Sequence, residues 1–194
     1  MLAWAFFGYL LGSVPFAFLL ARRAGIDVRV AGSGNVGAAN VLRTSGTSLG
    51  VAVMALDISK GAATVLTAHA AAAGITSVAI AGACAIVGHV YPVWLRFKGG
   101  KGVAVAAGVF SVLAPLATAL AAVVFILCVS VTRIVSLGSI AATLALPSIA
   151  WWSGAPDIVL GAAAACASLI LFRHRANIRR IITGTERRMR GRVA

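Results

Sequence analysis

Residues 103–132 read VAVAAGVFSVLAPLATALAAVVFILCVSVT, a stretch without a single charge. A helix needs about 20 apolar residues to cross roughly 30 Å of hydrocarbon, so this run is too long for one crossing and short for two. Proline cannot continue a helical hydrogen-bond ladder, so Pro115 predicts a hairpin of two helices of about 15 residues, each about 22 Å long. Outward from this stretch, further apolar runs cover Leu2 to Ala21, Thr47 to Ala73, Ile75 to Leu95, Ile134 to Trp152 and Ile158 to Phe172. A transmembrane β-barrel would instead show segments of about ten residues with alternating hydrophobicity. The expected fold is all-α, a polytopic integral membrane helical bundle.

Composition excludes the alternatives. Of 194 residues, 61% are apolar and 11% charged, with a mean hydropathy of +1.01. A water-soluble domain carries about a quarter of its residues as charges, which rules out soluble globular, disordered and collagen-like classes. Lys and Arg total 17 against 4 acids, a formal +13. In a soluble chain this excess suggests nucleic acid, but cytoplasmic loops of membrane proteins collect Lys and Arg, so no nucleic-acid partner is expected. Cys84, Cys128 and Cys166 lie inside apolar runs, with neither a disulfide framework nor metal-ligand spacing.

Sixteen of the 17 basic residues fall in four polar places: Arg22, Arg23, Arg29 and Arg43; Arg96, Lys98 and Lys101; Arg133; and eight arginines from Arg173 to Arg192. If all four face the cytoplasm, an even number of crossings separates each from the next. That predicts about seven transmembrane helices, with the N-terminus outside and the C-terminus cytoplasmic; six helices with Arg133 outside is the alternative. The first run has no basic residue before it and Arg22-Arg23 after it, the reverse of a cleavable signal peptide, so it is expected to remain as a helix. The chain reads as one membrane domain, 1–194, with cytoplasmic elements at 22–46, 96–102 and 173–194 in which chemistry must reside.

The first of these holds Gly32-Ser33-Gly34-Asn35-Val36-Gly37-Ala38-Ala39-Asn40 and then Arg43. Its G-x-G-x-x-G, with Asp57 beyond it, mimics a dinucleotide fingerprint, but that motif needs a preceding strand, and here a membrane helix precedes it. What remains is a set of exposed N–H groups able to fold round an anion, with Arg43 as bidentate partner, or else a flexible loop with a capping Ser or Asn. The second element, Phe97-Lys98-Gly99-Gly100-Lys101-Gly102, lacks the Walker pattern, because Leu95 and Gly102 occupy positions that require Gly and Ser or Thr. It reads as an anion site at a helix N-terminus or as a turn with a topology-setting lysine. In the tail, His174 and Asn177 share a helical face, while Ile178, Ile181 and Ile182 suggest a helix lying on headgroups. A basic lipid anchor accounts for the arginines but not for His174, Asn177 or Glu186.

Two smaller features accompany these. Asp57 and Lys60, three apart in an apolar run, are expected to pair, either bracing the loops from below or tying two helices together. Ser136 and Ser139 follow Arg133 and reach the same interface or serve close packing.

Taken in order, these elements, with Asp57-Ile58-Ser59-Lys60-Gly61, Gly88-His89-Val90-Tyr91-Pro92, Arg133-Ile134-Val135-Ser136-Leu137-Gly138-Ser139 and Gly184-Thr185-Glu186, resemble the bacterial acyl-phosphate:glycerol-3-phosphate acyltransferase family from about Gly12 to Glu186. The resemblance implies a seven-helix enzyme of the bacterial inner membrane with its active site facing the cytoplasm. It implies transfer of a fatty acyl group from acyl phosphate to the sn-1 hydroxyl of glycerol 3-phosphate, giving lysophosphatidic acid and phosphate. No metal, no cofactor and no obligate protein partner are implied, membrane lipid being the surroundings. Ser33, Arg43, Lys101, His174 and Asn177 would bind the two phosphorylated substrates, with Ser33, Lys101, His174 and Asn177 as the catalytic set. Gly34, Gly37, Gly99, Gly100 and Gly102 would offer backbone N–H groups, and Asn35, Asn40, Ser136 and Ser139 would complete the substrate site. Val103-Ala104-Val105 after Gly102 lacks the threonine that the family pattern leads one to expect there.

Soluble and peripheral glycerol-phosphate acyltransferases use a His and an Asp five residues apart as base and orienter. Here the residues five after His69, His89 and His174 are Gly74, Trp94 and Arg179, so that dyad is absent and substrate-assisted transfer is expected. The competing readings are weaker. An anion transporter would place its polar residues near the midplane within an internal repeat, and a scaffold would leave Ser33, Asn35, Lys101 and Asn177 idle.

Overall fold

A peptide group in hydrocarbon must be hydrogen-bonded within its own segment, and the runs read above satisfy this as helices. The computed structural model describes residues 1–189; Arg190 and Arg192, part of the basic tail, lie outside the described residues. Among the described residues there is no strand. These residues form ten α-helices: α1 (Leu2–Ser13), α2 (Phe16–Arg23), α3 (Ala38–Ser45), α4 (Thr47–Ala70), α5 (Ile75–Val90), α6 (Val103–Leu113), α7 (Pro115–Thr132), α8 (Val135–Trp152), α9 (Asp157–Arg173) and α10 (Arg175–Ile182). A single 3-10 turn, Val93–Leu95, follows α5. The chain divides into two compact units, the first ending at Leu113 and the second beginning at Ala114.

In the first unit α1 packs on α5, and α4 packs on α3, α5 and α6. Lipid tails are as apolar as leucine, so membrane helices associate through close packing at small residues. A Cβ on Gly8 would strike the carbonyl of Ala81, one on Gly12 that of Ala85, and one on Gly88 that of Tyr9. The same device joins α4 to α6, where Gly61 lies against the Val105 carbonyl and Gly108 against that of Ile58.

The first apolar run, expected as one helix, is broken. Pro15 has no N–H to give, so α1 ends at Ser13 and the chain restarts as α2 at Phe16. The two still make a 22-residue apolar span, Leu2–Arg23.

The run at 103–132 divides at Pro115 as expected, but unequally. α6 has 11 residues and α7 has 18, with Pro115 in the first turn of α7, where its missing N–H costs nothing. At about 16 Å, α6 is shorter than the hydrocarbon layer. Among the described residues, five helical spans are long and apolar enough to cross a membrane, and a sixth is added if α9 and α10, bent by 60°, count as one.

The second unit packs α8 against α7 and α9, with Gly138 seated on Phe125 and Val129. Short α10 lies beside α8 and α9. Of its expected apolar stripe, Ile178 and Ile181 are half-buried and Ile182 is exposed, while Asn177 is buried.

Gly12→Val is expected to destabilise the protein by about 1–3 kcal/mol or more through overpacking against α5. A lowered Tm of the detergent-solubilised protein would show it. Gly161→Ala, which meets only open space, should leave Tm unchanged or slightly raised.

Candidate functional site

The first glycine loop is organised from below by Asn40 on α3, whose residue is 1% exposed. Its Oδ1 accepts the Ser33 N–H at 2.8 Å, and its Nδ2 donates to the carbonyls of Val28 and Ala31, both at 3.0 Å. Gly32 and Gly34 adopt φ of 64° and 70°, a region open to glycine at little cost, and so present Ser33 at the exposed crest between them. Arg43 lies three residues beyond Asn40 on α3 and is exposed. Arg29 is committed to the loop's own fold: its guanidinium contacts Asp27 at 2.7 Å and lies 4.8 Å from the centroid of Phe18. Hydrogen bonds from the Arg29 side chain, then from its backbone N–H, hold the Asp27 carboxyl down at about 2.

The second loop folds back on the last turn of α5. Gly99 N–H donates to the Val90 carbonyl and Gly100 N–H to the His89 carbonyl, each at 3.1 Å. A Cβ at Gly99 would strike the His89 carbonyl and Pro92, and one at Gly100 the His89 ring. Val36 of the first loop and Leu95 of the second share one buried cluster with Ala17, Ala21, Val28, Val41 and Val53. The first unit therefore brings the Ser33 loop and the Lys101 loop onto a common core.

Glycine N–H groups of the two loops, expected to face an anion, have backbone partners in this structure. Gly34 N–H donates to Ala31, Gly37 to Asn35, Gly99 to Val90 and Gly100 to His89, all backbone carbonyls. Loops this tight satisfy their own peptide groups, and their glycines serve positive φ and close approach. The donors left by helix geometry are at the start of α6, where Gly102 (φ 92°) precedes Val103 and the first-turn N–H groups lack intrahelical acceptors. Asn40, expected to contact substrate, has its amide spent on the loop. Asn35 sits half-buried beside Gly37.

Beneath these loops the expected Asp57–Lys60 pair is formed at 2.8 Å, with both side chains 2% exposed. It is close in distance but not aligned as a hydrogen bond at Asp57 Oδ1. Sequence reasoning missed a third member: Lys60 Nζ also lies 3.1 Å from His89 Nδ1. No sequence spacing signals this, since 29 residues separate the two.

In the second unit, Glu186 is the organiser that the candidate set omitted. Its Oε1 accepts Ser136 Oγ–H at 2.7 Å and Asn177 Nδ2–H at 2.6 Å, and its Oε2 accepts Arg180 Nε–H at 2.6 Å. Burial pushes the Glu186 carboxyl up, but these three hydrogen bonds and the Arg180 charge outweigh it and hold it below its ordinary range. A lone carboxylate in a tail of eight arginines was the available signal. Ser139 instead spends its hydroxyl on the Val135 carbonyl of its own helix at 3.0 Å. His174, 2% exposed between α9 and α10, has Nδ1 2.8 Å from the Ile170 carbonyl. A carbonyl only accepts, so Nδ1 carries a proton, and whenever the ring is neutral its lone pair is on Nε2. Among the described residues no group of His, Cys, Asp or Glu is arranged to hold a metal ion.

The family model described as glycerol-3-phosphate acyltransferase matches residues 2–184. The glycerol-3-phosphate acyltransferase of Geobacter sulfurreducens is 43% identical over 182 residues, covering 94% of each chain. That of Rhizobium meliloti is 44% identical over 189 residues, covering 97% of this chain and 92% of its own. Among solved structures, PlsY (YgiH), described as an integral membrane glycerol 3-phosphate acyltransferase, superposes in its glycerol 3-phosphate form with a TM-score of 0.93 at 40% identity, covering 97% of this chain and 95% of that one. Its lysophosphatidic acid form gives 0.91 at 39% identity with the same coverage. An all-helical membrane protein with polar loops on a common core is thus matched in sequence and in fold. The chain belongs to the glycerol-3-phosphate acyltransferase family, acyltransferases of phospholipid synthesis.

Asn40→Ala strands the Ser33 N–H and two carbonyls and is expected to cost about 1–3 kcal/mol, read as a lower Tm. Glu186 has its folded value depressed, so its contribution to stability is full above the ordinary 4.5 and is lost as pH falls through the folded value. A melting series from neutral to acidic pH should show that loss in the parent protein and not in Glu186→Gln.

Proposed function

We propose that this enzyme transfers a fatty acyl group from acyl phosphate to the sn-1 hydroxyl of glycerol 3-phosphate, releasing lysophosphatidic acid and inorganic phosphate, with the whole chain acting as one acyltransferase domain. The observation that carries the reading is its likeness, over 97% of its length, to a protein solved in glycerol 3-phosphate and lysophosphatidic acid forms. Acyl phosphate as donor rests on the ordered motifs and on the missing His–Asp dyad. A mixed anhydride already has a good leaving group, so its transfer asks for alignment and charge neutralisation more than for a strong base.

In this reading Ser33, Arg43, Lys101, His174 and Asn177 bind the two anions, with N–H groups at the start of α6 beside Lys101. Such donors act in acyl transfer by holding two reactants in line and by stabilising the developing oxyanion, each worth about 3–4 kcal/mol in favourable cases. The glycerol hydroxyl oxygen attacks the acyl carbon, the bond from that carbon to the phosphate oxygen breaks, and the hydroxyl proton passes to a phosphate oxygen. A second reading, histidine as base, is favoured by the hydrogen bond from His174 Nδ1 to Ile170, which leaves Nε2 as acceptor. His174→Gln separates the two: retained turnover supports proton transfer to substrate, and lost turnover with intact binding of both substrates supports the histidine.

The proposed setting is the bacterial inner membrane, with seven crossings, the N-terminus outside and the C-terminus and active site cytoplasmic. The parity of the basic clusters supports it, with α6 as a short crossing between Lys101 and Arg133. Single cysteines at positions 33, 101 and 177 in a cysteine-free background should all label from the cytoplasmic side; labelling from opposite sides would overturn the proposal.

Lysophosphatidic acid should form when the purified protein is given acyl phosphate and labelled glycerol 3-phosphate. Arg43→Ala and Lys101→Ala are expected to raise KM for glycerol 3-phosphate, lower turnover, or both, by about tenfold or more, without loss of fold. Unchanged kinetics would remove that residue from the site.

A further inference from the structure

The Asp57–Lys60–His89 cluster lies on the apolar helices α4 and α5 of the first unit and has no part in the mechanism above. A buried ion pair adds little stability that well-packed apolar residues would not match, so its use must be sought in what it orients. The Lys60 ammonium, which can only donate, bonds the Val14 carbonyl at 2.8 Å and His89 Nδ1 at 3.1 Å, and it pairs in charge with Asp57 Oδ1 at 2.8 Å, itself 3.6 Å from His89 Nδ1. This assigns the His89 tautomer, with Nδ1 accepting and the ring proton on Nε2. It also holds one ammonium between two separate structural breaks. Val14 is the interruption between α1 and α2, and His89 is in the last turn of α5.

His89 in turn supports the second glycine loop twice. Its carbonyl accepts the Gly100 N–H at 3.1 Å, and its ring lies so close beneath Gly100 that a Cβ there would collide with Nε2. Between cluster and loop is a cavity of about 10 Å³, lined by Asp57, His89, Gly99, Gly100, Val36 and Pro15 among others. It has room for about one water, and it is the direct contact of the ring with Gly100 that passes a shift of the imidazole to the loop above.

We propose that Asp57, Lys60 and His89 are positioning residues for the phosphate-gripping loop. Lys60 and Asp57 fix the His89 ring, and the ring sets the height of Gly99-Gly100 and thereby the placement of Lys101. This rests on the reading that Lys101 binds a substrate phosphate.

The test uses the full chain in detergent, with KM for glycerol 3-phosphate, kcat and Tm measured separately. His89→Gln removes the acceptor for Lys60 while keeping a polar group beneath Gly100. The double variant Asp57→Leu/Lys60→Met removes both charges together, leaves no unpaired ion, and carries the test should His89→Gln not fold. Both are expected to raise KM about tenfold, the effect of sub-ångström misplacement of a binding group, with kcat at saturation changed much less. Thr64→Val removes a hydroxyl bonded only to the Lys60 carbonyl and should leave KM unchanged whatever it does to Tm. If Lys101→Ala raises KM and the cluster variants do not, the positioning role is wrong. If Lys101→Ala leaves both KM and kcat unchanged, the phosphate-loop reading has failed and the positioning role falls with it.

Discussion

Hydrocarbon offers a peptide group no hydrogen-bond partner and a charge no solvation, and each part of this protein answers to that constraint. Helices close their own ladders, and glycines let them approach until carbonyl meets Cα, as Gly12 does on Ala85 and Gly108 on Ile58. The constraint reaches into the loops. At Gly34, Gly37, Gly99 and Gly100 the N–H groups are turned inward onto backbone carbonyls, and Asn40 is spent on three backbone groups of its own loop. In the proposed reading, donors for an anion would therefore come from long cations and from a helix start, where geometry forbids internal pairing.

The four acids show the same economy. Asp27 forks with Arg29, Asp57 pairs with Lys60, and Glu186 gathers Ser136, Asn177 and Arg180. Asp157 lies in the first turn of α9, where a negative charge complements the helix dipole. In a chain carrying +13, three of the four carboxylates each hold a cation, Arg29, Lys60 and Arg180. Arg29 is thereby assigned to structure.

Much of the fold could be read because it depends on local regularities. Apolar runs of helical length need no partner to be recognised, Pro115 breaks a ladder wherever it stands, and Asp57 meets Lys60 because residues three apart share a helix face. Pro15 obeys the same rule, yet its run reads as one continuous span because nothing in composition changes there. Of the proposed site, Ser33, Arg43, Lys101, His174 and Asn177 stand out in the sequence as polar residues in an apolar chain. The inward commitment of Asn40 and Ser139 was hidden, since an amide or hydroxyl looks the same whether it faces a ligand or its own backbone.

The amino-acid order by itself determined that this is a helical membrane protein with its polar chemistry confined to short loops and a basic tail, and which family those loops resemble. Hydropathy and motif spacing are properties of neighbours along the chain. Only the tertiary structure decided that Val36 and Leu95 share a core, that His89 completes the Asp57–Lys60 pair beneath Gly100, and that Glu186 joins Ser136 to Asn177. Those contacts join residues that meet only after helices have packed, and the packing distance is set by where two backbones can touch.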